Sequence, residues 1–176
     1  MSHNPPHPGS DLLNLHVRVD QFDPCGEFTI HSEALGFGEW SLELEVRVRA
    51  GRWRAFHLDY QLLDELFEAG DVDEEADEQL LLVHADHELP AALALGRMRN
   101  LGWVAIEAAS FTVADASHRA KLFAADGFDT YLDGAHGAIG DDGEDWGIHL
   151  KFIGDGHAVV WVEEAALPGL VLVELK

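Results

Sequence analysis

Hydrophobic and polar positions alternate along several short stretches of the chain. In "LHVRVDQF" (15–22), Leu15, Val17 and Val19 fall on one face of an expected strand. "DPCG" reads as a turn, and "EFTIHSE" as a second short strand. The clearest alternation is "EWSLELEVRVR": Leu42, Leu44, Val46 and Val48 face one side, and Glu43, Glu45, Arg47 and Arg49 the other. Ala50-Gly51 then suits a tight hairpin into "RWRAFHLD", with Glu45, Arg47 and Arg54 paired across strands on the polar face. The glycine and aromatic run Gly36-Phe37-Gly38-Glu39-Trp40 reads as a bend or bulge entering a strand.

The period then changes. "DYQLLDELFEAG" predicts a helix with Asp59 as N-cap, Tyr60, Leu63 and Phe67 on one face, and Gly70 at its end. "DVDEEADE" follows, with six acids in eight residues, as a solvated loop. "QLLLVHA" predicts a buried strand, "PAALALGRMRNLG" a helix and "WVAIEAASFTV" another strand, which together suggest a β-α-β unit. "DASHRAKLFAADG" predicts a short helix capped by Asp115 or Ser117 and stopped near Gly127.

Towards the end, "YLDGAHGAIGDDGEDWG" reads as a loop with five glycines and five acids. "IHLKFI" and "HAVVWVEE" are expected to pair as a hairpin around residues 154–156, placing Ile148, Leu150, Phe152, Ala158, Val160 and Val162 on one face. "GLVLVELK" closes the pattern after a Pro168-Gly169 turn. The fold class this implies is α+β, a curved and mainly antiparallel sheet of about eight strands packed against two or three helices. Residues 1–11 read as a Pro/His-containing arm and 12–176 as one domain, because no linker or repeat divides them.

Composition supports a folded chain: 47% of the 176 residues are hydrophobic, with nine Phe and five Trp. No apolar run reaches the length of a membrane span, and the first residues have neither the basic nor the apolar region of a signal peptide. Cys25 is the only cysteine, which excludes an intrachain disulfide and favours the cytoplasm.

Charge changes the picture most. Thirty-three acids against eleven bases give −22. Such a surface repels phosphate backbones and anionic lipid, so direct nucleic-acid and membrane binding are disfavoured, while a basic protein is attracted. The expected contact residues are Asp71, Asp73, Glu74, Glu75, Asp77 and Glu78 in one segment and Asp141, Asp142, Glu144 and Asp145 in another. Solubility or the chemistry of the host would also account for the acidity.

Candidate chemistry is thinner. His84, Asp86, His87 and Glu88 crowd a strand-to-turn boundary, and histidine nitrogens with carboxylate oxygens would suit a divalent metal. The spacing fits no H-E-x-x-H helix, and Pro90 disfavours helix before it. His136, His149 and His157 make a second conceivable metal group. Eleven histidines in all would move the formal charge from −22 to −11 on full protonation, a pH-responsive surface. The acidic 133–147 segment lacks the ligand order of a calcium loop. No G-x-S-x-G elbow exists, Ser110 and Ser117 have no glycine framing, and Cys25 has Pro and Gly rather than a base as its sequence neighbours. The residues therefore favour a non-enzymatic acidic adaptor or inhibitor of a basic partner, by the logic of an immunity protein or nucleic-acid mimic, with no cofactor. The alternative is a small metal-dependent enzyme or metal-binding protein using 84–88 or 136–157.

Overall fold

The computed structural model describes residues 19–39, 41–72, 77–89, 98–133, 135–141, 143–151 and 156–176. The fold is α+β, with two antiparallel sheets and short helices. The strands are β1 (Asp23–Ile30), β2 (Ala34–Gly38), β3 (Leu44–Arg47), β4 (Gly51–Leu58), β5 (Glu78–His84), β6 (Met98–Ile106), β7 (Ser110–Asp115), β8 (Gly137–Asp141), β9 (Glu144–Lys151), β10 (Gly156–Glu163) and β11 (Leu170–Leu175). The helices are α1 (Tyr60–Glu68) and α2 (Arg119–Phe123), with a π-helical turn at Phe128–Leu132. The six-stranded sheet has the order β1-β4-β5-β11-β10-β6, and the five-stranded sheet β3-β2-β7-β9-β8.

The sheets pack face to face over a core to which the first contributes Phe28, Trp53, Leu82, Val160 and Val173 and the second Phe37, Phe111, Val113 and Ile148. The outer face of the six-stranded sheet carries a second cluster, in which Leu81, Val83, Leu172 and Trp161 meet Leu63 of α1, Val19 and Phe22. Covered on both faces, β5 and β11 are buried at every position, which explains their continuous rather than alternating hydrophobicity. A third cluster gathers Leu42, Leu122, Leu132 and Trp146 on the outer face of the five-stranded sheet.

Several expectations hold. Asp59 caps α1, its carboxylate accepting the Leu62 amide at 2.8 Å. Asp115 caps the turn before α2. Around β3, Glu43, Glu45 and Arg47 are exposed and Val46 and Val48 enter the core between the sheets as expected, whereas Leu42, expected on their side, joins the cluster on the outer face.

Others need correction, mostly over which strands pair. Ala50-Gly51 does not close a hairpin: β3 pairs with β2 in one sheet, and β4 with β1 and β5 in the other. Gly51, at φ +121°, turns the chain from one sheet to the other. Glu45, Arg47 and Arg54 accordingly part company: Glu45 lies 3.7 Å from Arg119, Arg47 3.5 Å from Glu33, and Arg54 stacks over Phe56. Nor do the strands flanking 152–155 pair. β9 belongs to the five-stranded sheet and β10 to the six-stranded one, so Ile148, Leu150, Ala158, Val160 and Val162 share a core from opposite sides. Phe152 lies outside the described residues.

No parallel β-α-β unit forms. β5 and β6 are separated by β11 and β10, every neighbouring pair being antiparallel, so they run in opposite directions. Of the helix expected over 90–102, residues 90–97 lie outside the described residues, and 98–102 are strand instead, the first part of β6. "WVAIEAASFTV" splits into β6 and β7 at a corner where Ala109 takes φ +55°. "DPCG" lies inside β1, its extra residue absorbed as a bulge between Pro24 and Gly26. Gly36, Phe37 and Gly38 lie within β2, where an added side-chain carbon at Gly38 would strike the Ser41 carbonyl. The acidic loop is the β8–β9 hairpin. Val19–Gln21 is a single 3-10 turn rather than strand, and the arm at 1–11 lies outside the described residues. Among the described residues no helix is long and apolar enough to cross a membrane.

Candidate functional site

The segment after β5 is a tight turn, its His87 amide donating to the His84 carbonyl. His84 is buried. Its Nδ1 accepts the Asp86 amide at 3.1 Å, so the proton sits on Nε2, which donates to the Ala50 carbonyl at 2.8 Å. His87 points Nδ1 at the Glu88 carbonyl, 2.7 Å away, and Nε2 at Glu163, 2.6 Å away. All four ring nitrogens are thus engaged within the protein. Asp86 and Glu88 are exposed. Among the described residues, no three His, Cys, Asp or Glu side chains converge as a metal would require. The two histidines brace corners: His84 holds the β3–β4 crossover and His87 the β10–β11 connection.

The three later histidines do not meet either. His149 points to the outer face of the five-stranded sheet, because its neighbours Ile148 and Leu150 enter the core. Its Nδ1 lies 2.7 Å from the Thr112 hydroxyl, which donates to the Glu39 carbonyl. Burial, then the nearby Lys151 and His136, hold its pKa down to about 4. His157 is on the outer face of the other sheet, edge-on to Trp103 with 4.5 Å between centroids. His136 accepts the Lys151 amide at Nδ1 and faces the ring of His57, 6.3 Å away.

His57 was not distinguishable by sequence. It is buried at one end of the sandwich with Nε2 2.9 Å from Glu78 Oε1, and Glu78 is itself buried. Cys25 lies in β1 nearby in register, but burial pushes its thiol up to about 12, which removes it as a nucleophile near neutral pH.

The acidic residues separate into engaged and exposed groups. Glu78 is not on a surface patch at all. Asp77 is half-buried and pairs with Lys176 at 3.1 Å. Asp141 accepts from Lys121, Tyr131 and Trp146, and the first two of these bonds hold its pKa down to about 2. Glu144 lies 2.6 Å from His31. Asp71 and Asp145 are exposed. Asp73, Glu74, Glu75 and Asp142 lie outside the described residues. Strand register places the two segments at opposite ends of the sandwich, Glu78 beside Leu175 and His57, and Glu144 beside the far end of β1. They do not form one patch.

A different acidic surface stands out. On α1, Leu62, Leu63 and Leu66 pack inward, while Tyr60 and Phe67, expected on one face with Leu63, are 40% and 46% exposed. Tyr60, Asp64 and Phe67 run along one side of α1, with exposed Glu65 and Glu68 beside them, and exposed Asp71 follows the turn at Gly70 that ends the helix. From Ala55 to Gly96 the chain contains no lysine or arginine. The sequence signal was this absence of cations; the outward rotation of the two aromatics was not legible. Comparison with protein-family models, curated proteins and solved structures finds no match to the chain.

Proposed function

We propose that this chain is a non-enzymatic acidic interaction protein, acting in the cytoplasm as an adaptor or inhibitor that binds a basic protein partner through the exposed side of α1. The observation that carries this reading is the exposure of Tyr60 and Phe67 on α1 beside the exposed carboxylates Asp64, Glu65 and Glu68, in a stretch of sequence without lysine or arginine. Exposed aromatics in an acidic rim suit arginine- or lysine-rich surfaces: the rings supply contact area and cation–π attraction, the carboxylates steer approach. Exposed Asp71, just beyond the helix, adds to this negative charge.

The test uses an arginine-rich peptide as probe, with association measured by stopped flow across a salt series. Asp64→Asn with Glu65→Gln, Glu68→Gln and Asp71→Asn should slow association and flatten its salt dependence. Phe67→Ser should raise dissociation with little change in the association rate. Binding that ignores both variants would locate recognition elsewhere or nowhere.

A further inference from the structure

α1 is lightly held for a helix lying on a buried sheet. Leu63 is its one fully buried residue, Leu62 and Leu66 are half-buried, and the other six of its nine residues are exposed. Just beyond it, Val72 enters the outer cluster with Leu63. The strands on either side are held far more firmly. Leu58, the last residue of β4, is fully buried and stands opposite Gln79 of β5, which is buried at every position. The buried His57–Glu78 contact, 2.9 Å long, joins the same two strands next to that pair. The hydrogen bonds of the helix close on its own segment. The Asp59 carboxylate caps the Leu62 amide, and the Ala69, Gly70 and Asp71 amides return to the Glu65, Phe67 and Leu66 carbonyls. Gly70, at φ +80°, sits in open space, where an added side-chain carbon would meet nothing. A firm base, few buried apolar side chains and self-contained hydrogen bonds mark an element at the low end of local stability.

We propose that α1 is a hinged cover on the outer face of the six-stranded sheet, lifting as one unit with Leu63 and Val72 while β4, β5 and the core between the sheets stay intact. Lifting withdraws these two side chains from the cluster they share with Leu58, Leu81 and Val83, and so presents an apolar strip on an acidic molecule. A helix of nine residues is shorter than one that holds unaided in water, so the lifted segment loses its hydrogen bonds together. The hinges are the extended Asp59 on one side and the turn at Gly70 on the other. This inference concerns how α1 is attached and does not rest on what its outer side binds.

The experiment follows amide hydrogen exchange of the full chain by NMR across a urea series. The amides from Leu63 to Asp71 should share one protection factor, at least about a hundredfold below that of β5 and β11, and unmoved by urea below the unfolding transition. Val173 lies in the core between the sheets, on the side away from α1. Val173→Ala should therefore speed exchange in β5 and β11 about tenfold and leave α1 unchanged. Leu63→Ala should speed exchange in α1 about tenfold or more. Two results would overturn the proposal by showing that α1 leaves only when the whole chain unfolds: the urea dependence of β11 in the α1 amides, or equal acceleration of both by Val173→Ala. Protection that declines residue by residue along α1, with no shared value, would also overturn it, as fraying from an end rather than lifting.

Discussion

Glu163 Oε2 lies 2.6 Å from His87 Nε2 while Oε1 accepts the Gly169 amide at 3.0 Å. One carboxylate at the end of β10 thereby ties the turn after β5 to the corner leading into β11. Burial raises the Glu163 carboxyl, but the Gly169 amide and His87 outweigh it and hold the group below its ordinary 4.5. A depressed carboxylate stabilises the fold above that ordinary value, and the contribution is lost as pH falls through the folded-state pKa. Glu163→Gln should cost about 1.5–3 kcal/mol at neutral pH, the range for a hydrogen bond to a charged group. Urea unfolding of parent and variant should converge in acid. A constant difference from neutral to strongly acidic pH would mean the charge plays no part.

His149 works in the opposite chemical sense. Its folded-state pKa of about 4 lies below the ordinary 6.5 because the ring is buried on the outer face of its sheet. The unfolded chain therefore binds this proton first, and stability falls as pH drops from about 6.5 towards 4. The shift corresponds to at most about 3 kcal/mol. His149→Gln should flatten this limb, while the Thr112 hydroxyl keeps a partner. Denaturant midpoints at pH 4, 5, 6 and 7 check this, and an unchanged slope would remove His149 from the acid response.

How far the sequence was legible follows from the range of the signals. Caps and faces are local: Asp59, Asp115 and the Glu43–Val48 alternation were readable because each rests on a few adjacent residues. Pairing is not local. Gly51 and Gly156 mark places where the chain turns, but nothing near them states whether the next strand joins the same sheet. Here both lead to the other one. β8 and the start of β9 were hidden because aspartate and glycine dominate them and only Ile139 and Trp146 anchor that hairpin in the outer cluster. The site suffered similarly: composition counts Glu78, Asp141 and Asp71 alike, whereas only the last is exposed and without an assigned cation. The partners that engage the first two, His57 and Lys121, are each about 20 residues distant in the chain.

Residues 84–88 should not retain a transition metal. Both nitrogens of each histidine already face partners in the protein, so coordination would have to break the Ala50 and Glu163 contacts. Elemental analysis of purified protein should find no stoichiometric zinc or iron there. About one metal per chain, lost on His84→Ala with His87→Ala, would reverse this reading.

The bulge in β1 supplies the last test, because it controls how the two sheets approach. Gly26 takes φ +154°, and a side-chain carbon placed there would lie 2.9 Å from Ile148 Cδ1 on β9. Gly26→Ala therefore carries two penalties, backbone strain of about 1–3 kcal/mol and a steric one against Ile148. Ile148→Val removes Cδ1 and alone should cost about 0.5–1.5 kcal/mol, since the residue is fully buried. In the double variant the clash disappears and the strain remains. The two substitutions should then destabilise by less together than the sum of their separate effects, beyond the roughly 0.3–0.5 kcal/mol expected of independent sites. Strict additivity in urea midpoints would show that the β1 bulge does not press on Ile148, and that the sheets meet there with space to spare.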